Sequence, residues 1–120
     1  MAKILIVDDS RTSRKILRTL LEAEGHEIVM EATNGEEGVN YFKQSSPDIV
    51  TMDITMPIMD GIEATKRIMA ENKDAKIIMV TAAGQQNKMM DAIRAGAKEF
   101  ITKPFDKDII LAMISKLTEK

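Results

Sequence analysis

Asp48-Ile49-Val50-Thr51-Met52-Asp53-Ile54-Thr55-Met56-Pro57 decides how this chain is read. The short apolar run from Ile49 to Met52 has the character of a buried strand. It ends on a carboxylate, Asp53, and Pro57 soon interrupts regular structure. Asp60-Gly61 then marks a turn, with a helical pattern beyond it. A charge at the end of a buried strand is out of place unless the site opens at the edge of a sheet. In open α/β sheets that carboxyl edge is where ligands bind. Taken alone, Asp53 would read as a loop residue or a helix cap. The rest of the chain changes that reading.

Upstream, Ile4-Leu5-Ile6-Val7 is another continuous apolar run, as expected of a strand covered on both faces. It stops at Asp8-Asp9-Ser10, where Asp9 or Ser10 can cap the helix that follows. In that helix Ile16, Leu17, Leu20 and Leu21 make one apolar stripe, and Gly25 is the stop. A weaker strand covers about 27–32. Asn34-Gly35 leads into a helix presenting Val39 and Phe42, which Ser45-Ser46-Pro47 ends.

Downstream, a helix is expected over about 62–71, with Thr65, Ile68 and Met69 inward. Ile77-Ile78-Met79-Val80 is a further buried run, ending on Thr81. A fourth helix is expected over 85–95, with Met89, Met90 and Ile93 on its apolar side and Gly96 as its stop. Met89 and Met90, among ten methionines, read as core filler rather than a partner-binding patch. A short strand follows over 99–102. After Lys103-Pro104-Phe105, a last helix carries Ile110, Met113, Ile114 and Leu117 at helical spacing. Such alternation predicts an α/β fold: a doubly wound, five-stranded parallel sheet with five helices on its two faces.

Composition narrows the function. With 120 residues, 44% of them hydrophobic and 30% charged, the chain reads as one ordinary globular domain. There is no cysteine, which excludes disulfides, thiolate catalysis and thiolate metal sites, and the single His26 cannot build a multi-histidine site. A net charge of −2 without a basic block argues against nucleic-acid binding. No apolar run approaches the ~20 residues of a membrane span, and the start reads straight into a strand, so the cytoplasm is the expected location.

The polar residues that end the strands carry the chemistry. Asp8-Asp9 end the first, Asp53 the third, Thr81 the fourth and Lys103-Pro104 the fifth. In a parallel sheet these ends share one edge. Three carboxylates at close range repel, and without a cation at least one is expected to have a raised pKa. A hard divalent ion such as Mg²⁺ resolves the conflict through oxygen ligands. Lys103 and Thr81 then supply a positive charge and a hydroxyl donor to a phosphoryl group. The set suits attack by the Asp53 carboxylate on phosphorus, giving an aspartyl phosphate.

On Ile4-Leu5-Ile6-Val7-Asp8-Asp9, Asp53 with Met56-Pro57 and Asp60-Gly61, Thr81-Ala82, and Lys103-Pro104-Phe105, the chain closely resembles the receiver domain of two-component response regulators. Within that family it is most similar to the chemotaxis regulators. The resemblance covers nearly the whole length, so it implies one receiver domain over residues 1–120 with no output domain. It also implies the strand order 2-1-3-4-5, which comes from the family and not from the periodicity of the chain. By the resemblance Asp53 is the phospho-acceptor, and Asp8, Asp9, Asp53 and the backbone carbonyl of Thr55 are the Mg²⁺ ligands. Thr81 and Lys103 would contact the phosphoryl group, and the Lys103-Pro104 peptide would be cis. Phe100 would rotate inward on activation. Many relatives carry tyrosine there, so Phe100 would act by packing alone. The altered surface would be the fourth helix, last strand and last helix.

The resemblance implies a histidine kinase as phosphodonor, a phosphatase, and an output protein such as a flagellar motor switch, met by a monomer. Gly84-Gln85-Gln86 and the segment from Ala92 to Phe100 look like the chemotaxis group, whereas Ser10-Arg11-Thr12-Ser13 departs from it. A phosphorelay intermediate, or a single-domain regulator outside chemotaxis, is the alternative. Transfer would be stoichiometric with slow self-dephosphorylation, so the chain is read as a signalling protein and not an enzyme. Other classes fit less well. Asp8-Asp9 would repel a flavin phosphate, and no G-x-G-x-x-G turn serves a dinucleotide. Thr55 replaces the second acid that a haloacid-dehalogenase-type phosphatase needs two residues after its nucleophile.

Overall fold

The computed structural model describes residues 1–119. Five strands alternate with five helices: β1 (Lys3–Val7), α1 (Arg11–Ala23), β2 (Glu27–Ala32), α2 (Gly35–Ser45), β3 (Ile49–Met52), α3 (Gly61–Glu71), β4 (Ile77–Ala82), α4 (Met89–Ala95), β5 (Glu99–Lys103) and α5 (Lys107–Thr118). A turn of 3₁₀-helix, Gln86–Lys88, precedes α4. The strands form one parallel sheet in the order β2-β1-β3-β4-β5. This is the expected topology.

The continuous apolar runs are explained by the two faces of that sheet. Successive strand residues point to opposite sides. Leu5, Val7, Val50, Met52, Ile77 and Met79 pack under α2, α3 and α4, through Val39, Phe42, Ala64, Ile68 and Ala92. Ile4, Ile6, Ile49, Ile78 and Val80 pack under α1 and α5, through Leu17, Leu21, Ile110 and Ile114. A strand covered on both faces has no solvent-facing position, so the regular polar–apolar alternation of a half-exposed strand is missing. Fully burying one such side chain contributes about 1.5–3 kcal/mol, so the central strands hold much of the stability.

Helix ends follow local chemistry. Ser10, not Asp9, caps α1: its hydroxyl accepts from the Ser13 N–H at 3.2 Å. Asn34 and Asp60 cap α2 and α3 in the same way. Beyond α1, Gly25 takes a φ of +87°, a left-handed conformation that ends the helix without a Cβ clash.

Two sequence expectations need correction. In α1 the stripe is narrower than expected: Leu17 and Leu21 are buried and Leu20 flanks them, but Ile16 is 58% exposed. In α4 the apolar side faces outward. Met89, Met90 and Ile93 are all exposed, while Ala92 is fully buried, so these methionines do not fill the core. The small Ala92 side chain lets the α4 backbone pack closely, and the bulky residues are left on the far side. The helix is also shorter than the expected 85–95, because its first turn is the 3₁₀ segment.

Candidate functional site

Register brings the polar strand ends together. Val7 pairs with Met52 across β1 and β3, and the ladder continues one step further through the Asp53 N–H, which donates to the Val7 carbonyl at 2.9 Å. The Asp8 N–H likewise donates to the Ala32 carbonyl on β2 at 3.0 Å. Asp8 and Asp53 are therefore fixed by backbone hydrogen bonds side by side at the carboxyl edge. On β4, Thr81 pairs with Thr102 of β5, next to Lys103.

Asp53 is buried and its two oxygens have different partners. Oδ1 accepts from the Ile54 N–H at 2.7 Å and from the Thr81 hydroxyl at 2.8 Å. Oδ2 faces the Lys103 ammonium at 3.5 Å. Lys103 lies closer to Asp8, with Nζ 2.7 Å from Oδ2, and it also donates to the Ser13 hydroxyl at 3.1 Å. Asp8 Oδ1 accepts from the Ser10 N–H at 2.8 Å. The Lys103–Pro104 peptide is cis.

Burial pushes the Asp53 carboxyl above its ordinary value, and the neighbouring Asp8 charge adds to the rise. The Thr81 hydrogen bond, Lys103 and the Ile54 N–H oppose it. A raised acid among acids is the electrostatic signature expected where a cation belongs.

One oxygen from each of Asp8, Asp9 and Asp53 can be chosen so that all lie within 4.8 Å of one another. Two of these acids are buried and Asp9 is exposed, which leaves a solvent path into the group. An all-carboxylate donor set fits a hard divalent cation such as Mg²⁺. Thr55 lies exposed in the loop between Asp53 and α3. Phe100 stands apart from the acids, half-buried on β5, paired with Met79 and packed against the α2–α3–α4 side of the core.

The structure adds residues that strand-end reasoning did not single out. Ser13 contacts Lys103 directly. Arg14 donates to the Asp8 carbonyl at 2.8 Å and to Glu31 on β2 at 3.2 Å, tying the acidic loop to α1 and the sheet. Gly61 packs so tightly on the Asp53 carbonyl that a Cβ would lie 1.8 Å from its oxygen, far inside van der Waals contact. Of these, Asp60-Gly61 had a visible turn signal. Ser13 and Arg14 had none, because both act across the fold.

Comparison with known proteins agrees with this geometry. Residues 4–115 match the family model described as the response regulator receiver domain. The chain belongs to the response regulator receiver family. Within it, this receiver domain is 52% identical over 114 residues to the chemotaxis protein CheY of Bacillus subtilis, covering 95% of each chain. It is 47% identical over 117 residues to CheY of Thermotoga maritima, covering 98% of both. Among solved structures, it superposes with a TM-score of 0.91 and 41% identity on a chain of the CheX-CheY-BeF3-Mg²⁺ complex from Borrelia burgdorferi, covering 98% of this chain and 90% of that one. It is thus a receiver domain of the CheY-like kind. No helix among the described residues is long and apolar enough to cross a membrane.

Proposed function

We propose that this receiver domain is a cytoplasmic chemotaxis messenger that accepts a phosphoryl group on Asp53 from a histidine kinase and then binds an output protein, a flagellar motor switch. The observation that carries the reading is Asp53 itself: a buried carboxylate at the end of β3, held by Thr81, faced by Lys103 and grouped with Asp8 and Asp9.

In the transfer, an Asp53 oxygen attacks phosphorus and forms a P–O bond. The P–N bond to the donor imidazole breaks, its electron pair stays on nitrogen, and solvent supplies the proton. No general base is needed, because the attacking group is a carboxylate. Asp8, Asp9, Asp53 and the Thr55 carbonyl would hold Mg²⁺. When bound, the ion offsets negative charge on the phosphoryl oxygens. Lys103 offers an ammonium, now 3.5 Å from Asp53 Oδ2, and Thr81 a hydroxyl that now serves Asp53 Oδ1.

The phosphoryl group adds about −1.5 to −2 charges and three acceptor oxygens. Thr81 turns toward it, and Phe100 repacks into the space vacated. The output surface is α4, β5 and α5. Its exposed Met89, Met90 and Ile93 give α4 a polarizable apolar face, which supports partner binding there. The Borrelia relative was crystallised with a protein partner, CheX, which supports signalling by contact.

The test is intact mass after incubation with acetyl phosphate and Mg²⁺. One added phosphoryl group, dependent on metal and absent from Asp53→Asn, is the expected result. A gain that persists in Asp53→Asn would move the acceptor to another residue, and no gain in folded wild type would sink the phosphorylation reading.

A further inference from the structure

An ammonium has three donors, and Lys103 has three oxygen neighbours, two of them hydrogen-bonded. Asp8 Oδ2 accepts at 2.7 Å and Ser13 Oγ at 3.1 Å, and Asp53 Oδ2 lies at 3.5 Å. Asp8 and Asp53 already belong to the acid group. Ser13 is neither an acid nor part of that group, yet it touches the same nitrogen.

Ser13 is placed by its backbone. It lies in the first turn of α1, and its N–H donates to the capping Ser10 hydroxyl, so the cap sets where its side chain emerges. Restraint matters at this position. A cavity of about 410 Å³ adjoins Lys103, lined by Ser13, Ile16, Leu17, Val80 and Phe105 among others. A lysine on a flexible four-carbon stem has room to swing into such a space. With Asp8 and Ser13 taking two of its donors, the ammonium is kept within 3.5 Å of Asp53 Oδ2 and has one donor left for a group carried there. A hydroxyl is also a neutral acceptor, so a hard cation that draws on the carboxylates leaves it free for Lys103.

We propose that Ser13 is a positioning residue for phosphoryl capture, its hydroxyl holding the Lys103 ammonium so that one donor stays aimed at the group on Asp53. The inference rests on the reading of Asp53 as acceptor and Lys103 as counter-charge. It adds a residue of α1 to the reaction centre.

The probe is beryllofluoride, a phosphoryl analogue, titrated in Mg²⁺ and followed by calorimetry and by ¹⁹F resonance of the bound species. Ser13→Ala is expected to weaken beryllofluoride binding about threefold to tenfold, the scale of one hydrogen bond, and to shift the bound ¹⁹F signals. Affinity for Mg²⁺ alone is expected to stay at the wild-type value, and the urea midpoint of the metal-free protein to fall by no more than the loss of one hydrogen bond allows. Ser13→Thr restores binding, because it keeps the hydroxyl and its extra methyl has the cavity to enter. In a Lys103→Ala background, Ser13→Ala adds no further loss, since the two act as one pair. Equal beryllofluoride affinity in wild type and Ser13→Ala overturns this inference alone. So does an equal loss in the Lys103→Ala background, or failure of folded Ser13→Thr to restore binding. A folded wild type that binds no beryllofluoride overturns the Asp53 reading and this inference together.

Discussion

Two buried threonines on neighbouring elements should respond in opposite directions to the same change. Thr51 on β3 is 1% exposed, and its hydroxyl has no hydrogen-bond partner. Its register neighbours are Ile6 and Ile78, both fully buried, on the apolar face beneath α1 and α5. Thr65 on α3 is equally buried, but its hydroxyl donates to the Gly61 carbonyl at 2.7 Å and touches the Met79 sulfur at 3.8 Å. Valine has nearly the shape of threonine, so cavity and overpacking effects are small and the hydroxyl is the main variable. At Thr51 the folded state carries the desolvation cost of an unpaired hydroxyl, about 1–3 kcal/mol. Thr51→Val removes that cost, so we expect a gain of about 1–2 kcal/mol. At Thr65 the same change removes a made bond, and a loss of about 0.5–1.5 kcal/mol is expected. Urea unfolding measures both. With a slope of about 1–3 kcal/mol/M for a small protein, the midpoint should rise by roughly 0.5–1 M for Thr51→Val and fall by somewhat less for Thr65→Val. The slope should not change. Phosphorylation by acetyl phosphate should survive in Thr51→Val, since the substitution leaves every hydrogen bond of Asp53 in place. A lower midpoint for Thr51→Val, or shifts of the same sign at both sites, would refute the assignment of one hydroxyl as unpaired and the other as satisfied.

Other consequences follow from the same contacts. Gly61→Ala forces a methyl against the Asp53 carbonyl and the Met52 side chain. A loss of about 1–3 kcal/mol or more in urea unfolding is expected, together with slower acetyl-phosphate labelling. Metal should stabilise the fold by linkage, about 2.7 kcal/mol at a hundredfold excess over its dissociation constant. A melting temperature that rises with Mg²⁺ in wild type, falls back with chelator and responds far less in Asp9→Asn would bear this out. His26 is held below its ordinary pKa by burial and then by the N-terminal charge, and its Nδ1 accepts from the Ala2 N–H at 3.0 Å. The unfolded chain therefore takes up more protons as pH drops below about 6.5. Stability contributed here is full above that pH and is lost as pH falls toward the lower folded value. Urea midpoints between pH 8 and 5 should decline in wild type and decline less in His26→Gln; equal slopes would contradict the assignment.

Much of the fold is local and so could be read along the chain. Three apolar runs, one weaker strand and a short last strand, each followed by a helical pattern, demand a layered α/β arrangement, because strands that are almost wholly apolar must be covered on both sides. The acids, Thr81 and Lys103 were also legible, since strand direction alone puts them on one edge. Where the residues of an element face was less so. Met89, Met90 and Ile93 have the spacing of a buried stripe, yet Ala92 is what meets the core, and Ile16 stays in solvent beside buried Leu17. Spacing says which residues share a helix face but not which face is covered, and that depends on how closely the helix approaches its neighbours.

The sequence by itself determined the class of fold, the edge that carries the chemistry and the acids that define it, because period, strand ends and charge are properties of short stretches. The tertiary structure alone decided how those residues are held. Lys103 rests between Asp8 and Ser13, 95 and 90 residues away in the chain, and Gly61 presses on the carbonyl of Asp53. Such contacts depend on distances between elements that no local pattern encodes, and they set which donor meets which oxygen.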